Sequence, residues 1–596
     1  MSEARSFIVG DISVTIDGAD LRDIRWRGQE AIRRIYPVFQ DRNWTNRLFV
    51  IGESAIHENN EGLVLSARGT GSFDATPLRW EVSASITDSV IEYRFHATSD
   101  GDFVRNRLGM CVLHPMAAAG AAVEIEHTDG SSTTSHLPVD ISPNQPFLDM
   151  RSITHELPDG SRTTVRLLGE VYEMEDHRNW TDASFKTYCT PISLPFPVEV
   201  RAGDVIDQVI EVSFSSSTSS SAALYETTAG TEVDAIHITS TGEETRLPRL
   251  GLCFPADEEP PSDTQLEELA TLSLDHLRVA VDVTDPRAGE RIKEAFRQAR
   301  AVGARLRVAS HCDDPEQLVA FAELAPDTIE RIDCWYVFSR RDKVTPDDWA
   351  ARARTALTDA FAQVPVGGGT DLYFTELNRE PPDPTAFDVL NFSINPQVHA
   401  FDNRTLIQNA RTQAVVAANA PRVTNATPVS VAPISLRPRF NPNATDPEAD
   451  VSNTALPSDV DARQASYFAA NWTAMSVKYL SEAGTVASAT YFETIGWKGI
   501  LEREVGSPDP HNFPSAPGER FPVWATFAAL AGMDTAHTCR SNDPENVDAL
   551  LVSGDSANRA LIVNWTRQSQ TVRIDGGDPV SIEPLSLSVL EMPAHN

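Results

Sequence analysis

Lysine is nearly missing from this chain. In 596 residues it occurs only at Lys186, Lys293, Lys343, Lys478 and Lys498, a scarcity that a GC-rich genome or a salty habitat would equally produce. Acidic residues far outnumber basic ones, 85 Asp and Glu against 50 Lys and Arg, for a formal net charge of −35. That field repels nucleic-acid phosphates and anionic lipid surfaces, so neither is expected as a partner. Long apolar runs are absent: no stretch of eighteen residues could span a bilayer. Met1–Ser6 lacks the basic region followed by an apolar run that a signal peptide requires. The six cysteines, Cys111, Cys189, Cys253, Cys312, Cys334 and Cys539, form no CxxC pair and no zinc-finger spacing. Scattered single thiols suit a reducing cytoplasm. There is no GxSxG elbow, no Walker phosphate loop, no GxGxxG turn after a strand, and no HxH or HExxH pair. Neither an elbow serine nor a nucleotide cofactor is therefore expected. A metal centre from His311, His399 and a carboxylate lacks any supporting spacing, and no metal is assigned.

What is present is ordinary for a soluble enzyme, with 41% hydrophobic and 23% charged residues. The length exceeds one core and predicts two or three domains. Up to about residue 240 the chain reads as strands and turns. Residues 8–16 run as a strand into Asp17-Gly18, a hairpin signal, and residues 78–86 alternate with period two, followed by Ile91, Tyr93 and Phe95. Repeated short strands with turn chemistry predict a large antiparallel β-sandwich over residues 1–245. Within it, residues 173–188 are dense in charge and aromatics, including Glu175, Trp180, Phe185, Lys186 and Tyr188. That mixture fits a loop pressed on another domain and walling a polar pocket; a hydrogen-bonded loop inside the sandwich is the plainer alternative.

After Leu247-Pro248 strands alternate with helices. Strands are predicted at 250–254, 277–282, 306–309, 332–338, 372–376, 389–394, 429–433 and 486–493, and Asp285-Pro286, Asp314-Pro315 and Thr345-Pro346 each read as a helix start. Further helices are expected over 404–417 and around Ala465–Met475, with Gly484 as a C-terminal cap. Eight strand–helix units predict a (β/α)8 TIM barrel over 246–535. Residues 437–459, rich in Pro and Asn, read as a lid. Four further strands predict a small C-terminal β-module over 536–596.

In such barrels chemistry sits at the C-terminal ends of the strands. Glu376 and Glu493 are predicted there, on strands five and eight, where two carboxyls in different environments can serve as acid and base. The sixth strand leads into Asn395 and on to His399 and Asp402; His399 suits proton transfer near neutrality. Arg278, Lys186 and Asn395 are candidates to stabilise an oxyanion, with Asp402, Glu175 and Trp497 as further substrate-binding residues. Asp282 and His311 are weaker candidates. Each of these, taken singly, would also fit as a satisfied polar residue.

The order sandwich, barrel, β-module resembles the large barrel clan of glycoside hydrolases. Asn106–Pro115, Glu173–Tyr188, Phe392–Asp402, Tyr491–Thr494 and Gly496-Trp497 carry a closer resemblance, to the D-apionate lactonase family. The resemblance implies hydrolysis of D-apionolactone, a small sugar lactone, to D-apionate without a cofactor, in apiose catabolism. The glycosidase clan places Asn-Glu after strand four and Glu after strand seven; here Val337-Phe338-Ser339 and Val431-Ala432-Pro433 stand instead. A glycosidase with the same carboxylate pair remains the alternative, about 5 Å apart for retention and farther for inversion. A non-catalytic carbohydrate-binding protein is the third reading. Nothing in the pattern decides self-association.

Overall fold

The computed structural model describes residues 4–593 except 48, 61, 74–75, 217–234, 256–259, 323–331, 358–362, 426, 441–454 and 556. The described chain forms two compact units. The first holds the residues before Asn179 and those from Ala183 to Ser216; the second holds the four-residue segment Asn179–Asp182 and everything described from Ala235 onward, apart from the stretch after Phe440.

In the first unit, sixteen strands form one sheet whose pairings are all antiparallel among the described residues. Period-two sequence becomes period-two burial: in Thr76–Ile86, Leu78, Trp80, Val82, Ala84 and Ile86 turn inward. The sheet doubles over one main core and carries a second, smaller cluster of Tyr36, Val38, Cys111, Leu113 and Tyr188. Strands remote in sheet order meet face to face, with Trp26 stacked on Phe214 at 4.9 Å and the Tyr93 hydroxyl donating to the Ala19 carbonyl at 2.7 Å. Residues 8–16 are not one strand. Gly10 (φ +57°) breaks them into Arg5–Val9 and Ile12–Asp17, which pair as a hairpin. Any Cβ at Gly10 would meet the Asp88 Cβ at 2.7 Å.

In the second unit, eight parallel strands close into a barrel: Arg249–Cys253, His276–Asp282, Arg305–Cys312, Ile332–Ser339, Val366–Tyr373, Val389–Ile394, Val429–Ile434 and Val486–Ile495, the last pairing back to the first. Of the three expected helix starts only Asp314 caps, accepting from the Glu316 amide; the helices after Asp285-Pro286 and Thr345-Pro346 begin later, at Ala288 and Trp349, without a side-chain cap. Ser466 caps helix Tyr467–Glu482 by accepting from the Phe468 amide. Gly484, at φ +67°, follows the helix Tyr467–Glu482. The long helix expected over 404–417 is two, Asn403–Ala410 and Thr412–Thr424. Ala325 and Ala360, expected on helices three and four, lie outside the described residues.

The fifth strand differs from expectation. It is Val366–Tyr373, and residues 374–376 begin a short helix, Phe374–Arg379. Val-Gly-Gly-Gly-Thr reads as a loop on propensity. The glycines are needed because a Cβ at Gly367 would strike the Tyr336 ring and one at Gly368 the Phe387 ring. Glu493 likewise does not end its strand, which continues through Thr494 to Ile495.

A seven-stranded sheet completes this unit. It combines Ile236–Arg246 with Thr535–Ser541, Val547–Ser553, Asn558–Asn564, Gln570–Ile574, Val580–Ile582 and Leu587–Met592. One of its strands thus comes from the stretch expected in the first sandwich. Helix Tyr467–Glu482 is tied to this sheet by Lys478 Nζ, 2.6 Å from Asp548 Oδ1. Among the described residues no helix is long and apolar enough to cross a membrane.

Candidate active site

The C-terminal end of the barrel is built around Asp371, near the end of the fifth strand. Its Oδ1 accepts from Arg278 Nη2 at 2.6 Å. Its Oδ2 receives His311 Nε2 and Arg439 Nη1, each at 2.9 Å, and Arg439 Nη2 also donates to the Asp371 carbonyl. Burial alone would push this carboxyl up. Arg439, Arg278 and the His311 hydrogen bond override it and hold Asp371 far below the usual carboxylate range, so it is ionised. Arg278, expected as a substrate or oxyanion contact, therefore spends Nη2 on Asp371 and is buried. Beside this cluster lies a small recess, with free space for about one water molecule, lined by Asp371, Tyr373, Ser393, Asn395, Ser435, Arg439 and neighbouring apolar atoms.

A second arrangement surrounds His399. Its Nδ1 lies 2.6 Å from Asp182 Oδ2, and Asn409 Nδ2 donates to Asp182 Oδ1 at 2.8 Å. Asp182 reaches the barrel because Asn179–Asp182 belongs to the second unit. Asn378 Nδ2 donates to Asn179 Oδ1 at 2.8 Å, Arg379 lies over the Trp180 ring, and Trp180 meets Tyr373 and His399 edge-on at 5.7 and 5.8 Å. The carboxylate fixes the ring and its tautomer: with the proton on Nδ1, the basic nitrogen is Nε2.

Each candidate carboxylate faces a lysine. Glu376, in the first turn of helix Phe374–Arg379, has Lys343 Nζ 3.5 Å away. Glu493 has Lys498 Nζ at 3.4 Å, and that lysine also reaches Asp459 at 2.9 Å. Glu493 is aligned with Cys253 on the first strand. Burial pushes that thiol up to about 11; Arg278, Glu493, Arg439 and Asp371 all act on it, which brings Glu493 within electrostatic reach of the Asp371 cluster. Burial also pushes the Tyr373 hydroxyl up, opposed by Asn395 and Arg439 and reinforced by Glu376.

The other sequence candidates separate from this group. Asp402 caps helix Asn403–Ala410, accepting from the Thr405 amide at 3.0 Å and its hydroxyl at 2.9 Å. Trp497 is half-buried against Phe513. Asp282 closes a turn through Thr284 and pairs with Arg340. Glu175 and Lys186 are cross-strand partners in the first unit. Strands four and seven end at Ser339 and Ile434, without carboxylates. Most of the expected lid, 441–454, lies outside the described residues. Sequence reading missed Asp371, Arg439 and Asp182. Asp371 hides beyond a glycine run, and Asp182 lies 217 residues from the histidine it holds.

A TIM barrel whose strand ends carry convergent arginines, histidines and carboxylates defines an enzyme of the barrel class, working on a small polar molecule. Residues 1–217 match the D-apionate lactonase N-terminal domain, and residues 250–535 the D-apionate lactonase TIM barrel domain. The chain belongs to the D-apionate lactonase family, and so to the lactone-hydrolysing enzymes. It is 27% identical to the D-apionate lactonase of Brucella anthropi over 98% of this chain and 96% of that one. Among solved structures it is similar to a GH30 endoxylanase from Clostridium papyrosolvens (9% identity, TM-score 0.36, covering 60% of this chain and 97% of the other). It is also similar to a family 51 α-L-arabinofuranosidase from Bifidobacterium longum (12%, TM-score 0.40, 57% and 87%).

Proposed function

We propose that this protein hydrolyses D-apionolactone to D-apionate, in the cytoplasm and as a step of apiose catabolism. The observation that carries the chemistry is His399 held by Asp182 at the barrel mouth, with the Trp180 ring against both His399 and Tyr373 of the Asp371 recess. Water attacks the lactone carbonyl carbon while one of Glu376 and Glu493 takes its proton. The carbonyl becomes a tetrahedral oxyanion. Its collapse breaks the bond to the ring oxygen, which receives a proton from His399 or from the other carboxyl, giving the open hydroxy acid. Asp182 orients the imidazole and balances its charge when it carries two protons. No step requires a cofactor.

The test is turnover of D-apionolactone, beside a panel of aldonolactones and nitrophenyl glycosides, by wild type and by Glu376→Gln, Glu493→Gln and His399→Asn. General acid–base groups contribute roughly 10²–10⁴-fold, so His399→Asn and at least one of the glutamine variants fall by that factor. Near wild-type turnover in all three folded variants would reject the assignment. Glycoside cleavage without lactone cleavage would reject the reaction.

A further inference from the structure

We propose that the recess beside Asp371 is a carboxylate subsite, in which Arg439 and the Tyr373 hydroxyl hold the lactone carbonyl oxygen first and the product carboxylate afterwards. This rests on the lactonase reading and assigns it a place.

Charge is the first argument. Two guanidinium groups, Arg278 and Arg439, converge on one carboxylate, with His311 beside them. Asp371 cannot neutralise both, so the cluster is left with surplus positive charge. That surplus stands out in a chain of formal charge −35. Of the neighbouring carboxylates, Glu376 pairs with Lys343, and Glu493 shares Lys498 with Asp459.

The second argument is which donors remain. Both oxygens of Asp371 are occupied, Oδ1 by Arg278 and Oδ2 by His311 and Arg439. Of the two serine hydroxyls in the wall, Ser393 donates to the Leu372 carbonyl at 2.8 Å and Ser435 to the Arg437 carbonyl at 2.7 Å. Neither has a proton left to offer a ligand. Arg439 has five N–H donors, and its bonds to Asp371 use Nη1 and Nη2 once each. Its side chain is 30% exposed, unlike that of Arg278 at 2%. Asn395 is anchored by accepting the Gln397 amide at 3.0 Å. Burial keeps the Tyr373 hydroxyl protonated, so it has a proton to donate. A cation and a neutral hydroxyl on one small recess match an oxyanion or a carboxylate.

The third argument is rigidity. Arg439 is gripped through both the side chain and the backbone of Asp371, which Arg278 and His311 hold in turn. Donors fixed before the charge develops need no reorganisation when it does. Arg278 and His311 act through Asp371 and are positioning residues.

The experiment measures kcat and KM for D-apionolactone and the inhibition constant of D-apionate, in wild type, Arg439→Met, Arg439→Lys and Tyr373→Phe. Arg439→Met is expected to weaken D-apionate inhibition at least tenfold and lower kcat about 100-fold, with Arg439→Lys recovering part of the inhibition. Tyr373→Phe, which removes one oxygen, is expected to lower kcat about tenfold or more. Unchanged inhibition by D-apionate in folded Arg439→Met would overturn the subsite. If Arg439→Met does not fold, Arg439→Lys and Tyr373→Phe decide, and wild-type inhibition in both overturns it. Should wild type turn over no aldonolactone, the lactonase reading fails alone; calorimetric titration with D-apionate then judges the subsite, Arg439-dependent binding supporting it and no binding rejecting it.

Discussion

The two ends of the barrel use the same residues for different ends. At the N-terminal end Asp333 accepts from Arg307 at 2.8 Å and pairs with Arg305 at 2.6 Å and Arg249 at 3.2 Å, while Arg305 also reaches Asp275 and Arg307 donates to Ser488. At the C-terminal end Asp371 takes Arg278, His311 and Arg439. Both clusters bury an ionised aspartate among arginines, and in both arginine overcomes the burial that would raise the carboxyl. Space does not separate them: Arg249 and Asp275 of the lower network also line a recess, and Arg249 and Arg305 are partly exposed. What does is position, since Asp371 and Arg439 line their recess at the strand ends where barrel chemistry sits. A displaced carboxyl is thus a poor marker of function by itself, because structural ion networks shift titration as well.

Four measurements would break or sharpen this contrast. The largest change is expected for Asp371→Asn, which lowers kcat/KM on D-apionolactone about 100-fold by releasing Arg439, and also lowers stability because Arg278 stays buried without its carboxylate. Retained turnover would erase the distinction between the two ends. Asp333→Asn is next, a loss of about 3–5 kcal/mol in urea unfolding from an uncompensated Arg307, with kcat/KM per folded molecule within about twofold. A large loss of turnover there would make the lower network functional too.

The third extends the contrast to the first unit. His155 is buried with its ring 5.4 Å from that of His114, and burial lowers it to about 4. It is neutral when folded and protonates more readily when unfolded. Its contribution is complete above about pH 6.5 and is lost as pH falls toward 4, roughly 3 kcal/mol in all. His155→Phe should flatten the stability profile over that window; an unchanged slope would count against it. The smallest effect is Asp402→Ala, about 1 kcal/mol for a lost helix cap, with turnover unaltered. A fall in turnover would return Asp402 to the substrate.

Much of the fold was legible along the chain. Apolar strands alternating with Asp-Pro and Thr-Pro helix starts indicated the barrel, and period-two runs indicated the antiparallel sheet, because side-chain periodicity is local. The fifth strand was missed for the converse reason: Gly367 and Gly368 owe their identity to the rings of Tyr336 and Phe387, which no local pattern shows. Glu376, Glu493, His399 and Asn395 drew attention as polar residues near predicted strand ends. Asp371, Arg439 and Asp182 did not, since a lone Asp or Arg carries no signal until its partner is beside it.

The amino-acid order by itself determined the class of fold, the acidic surface, the absence of nucleotide-binding and serine-elbow motifs, and the resemblance to a lactonase family, because composition, periodicity and motifs are carried by neighbours in sequence. Only tertiary structure decided which charges meet. Arg278 and Asp371 are 93 residues apart, and His399 and Asp182 are 217 apart. Barrel closure, and the packing of Asn179–Asp182 with it, brings them within hydrogen-bond distance, where the low local dielectric strengthens each pairing.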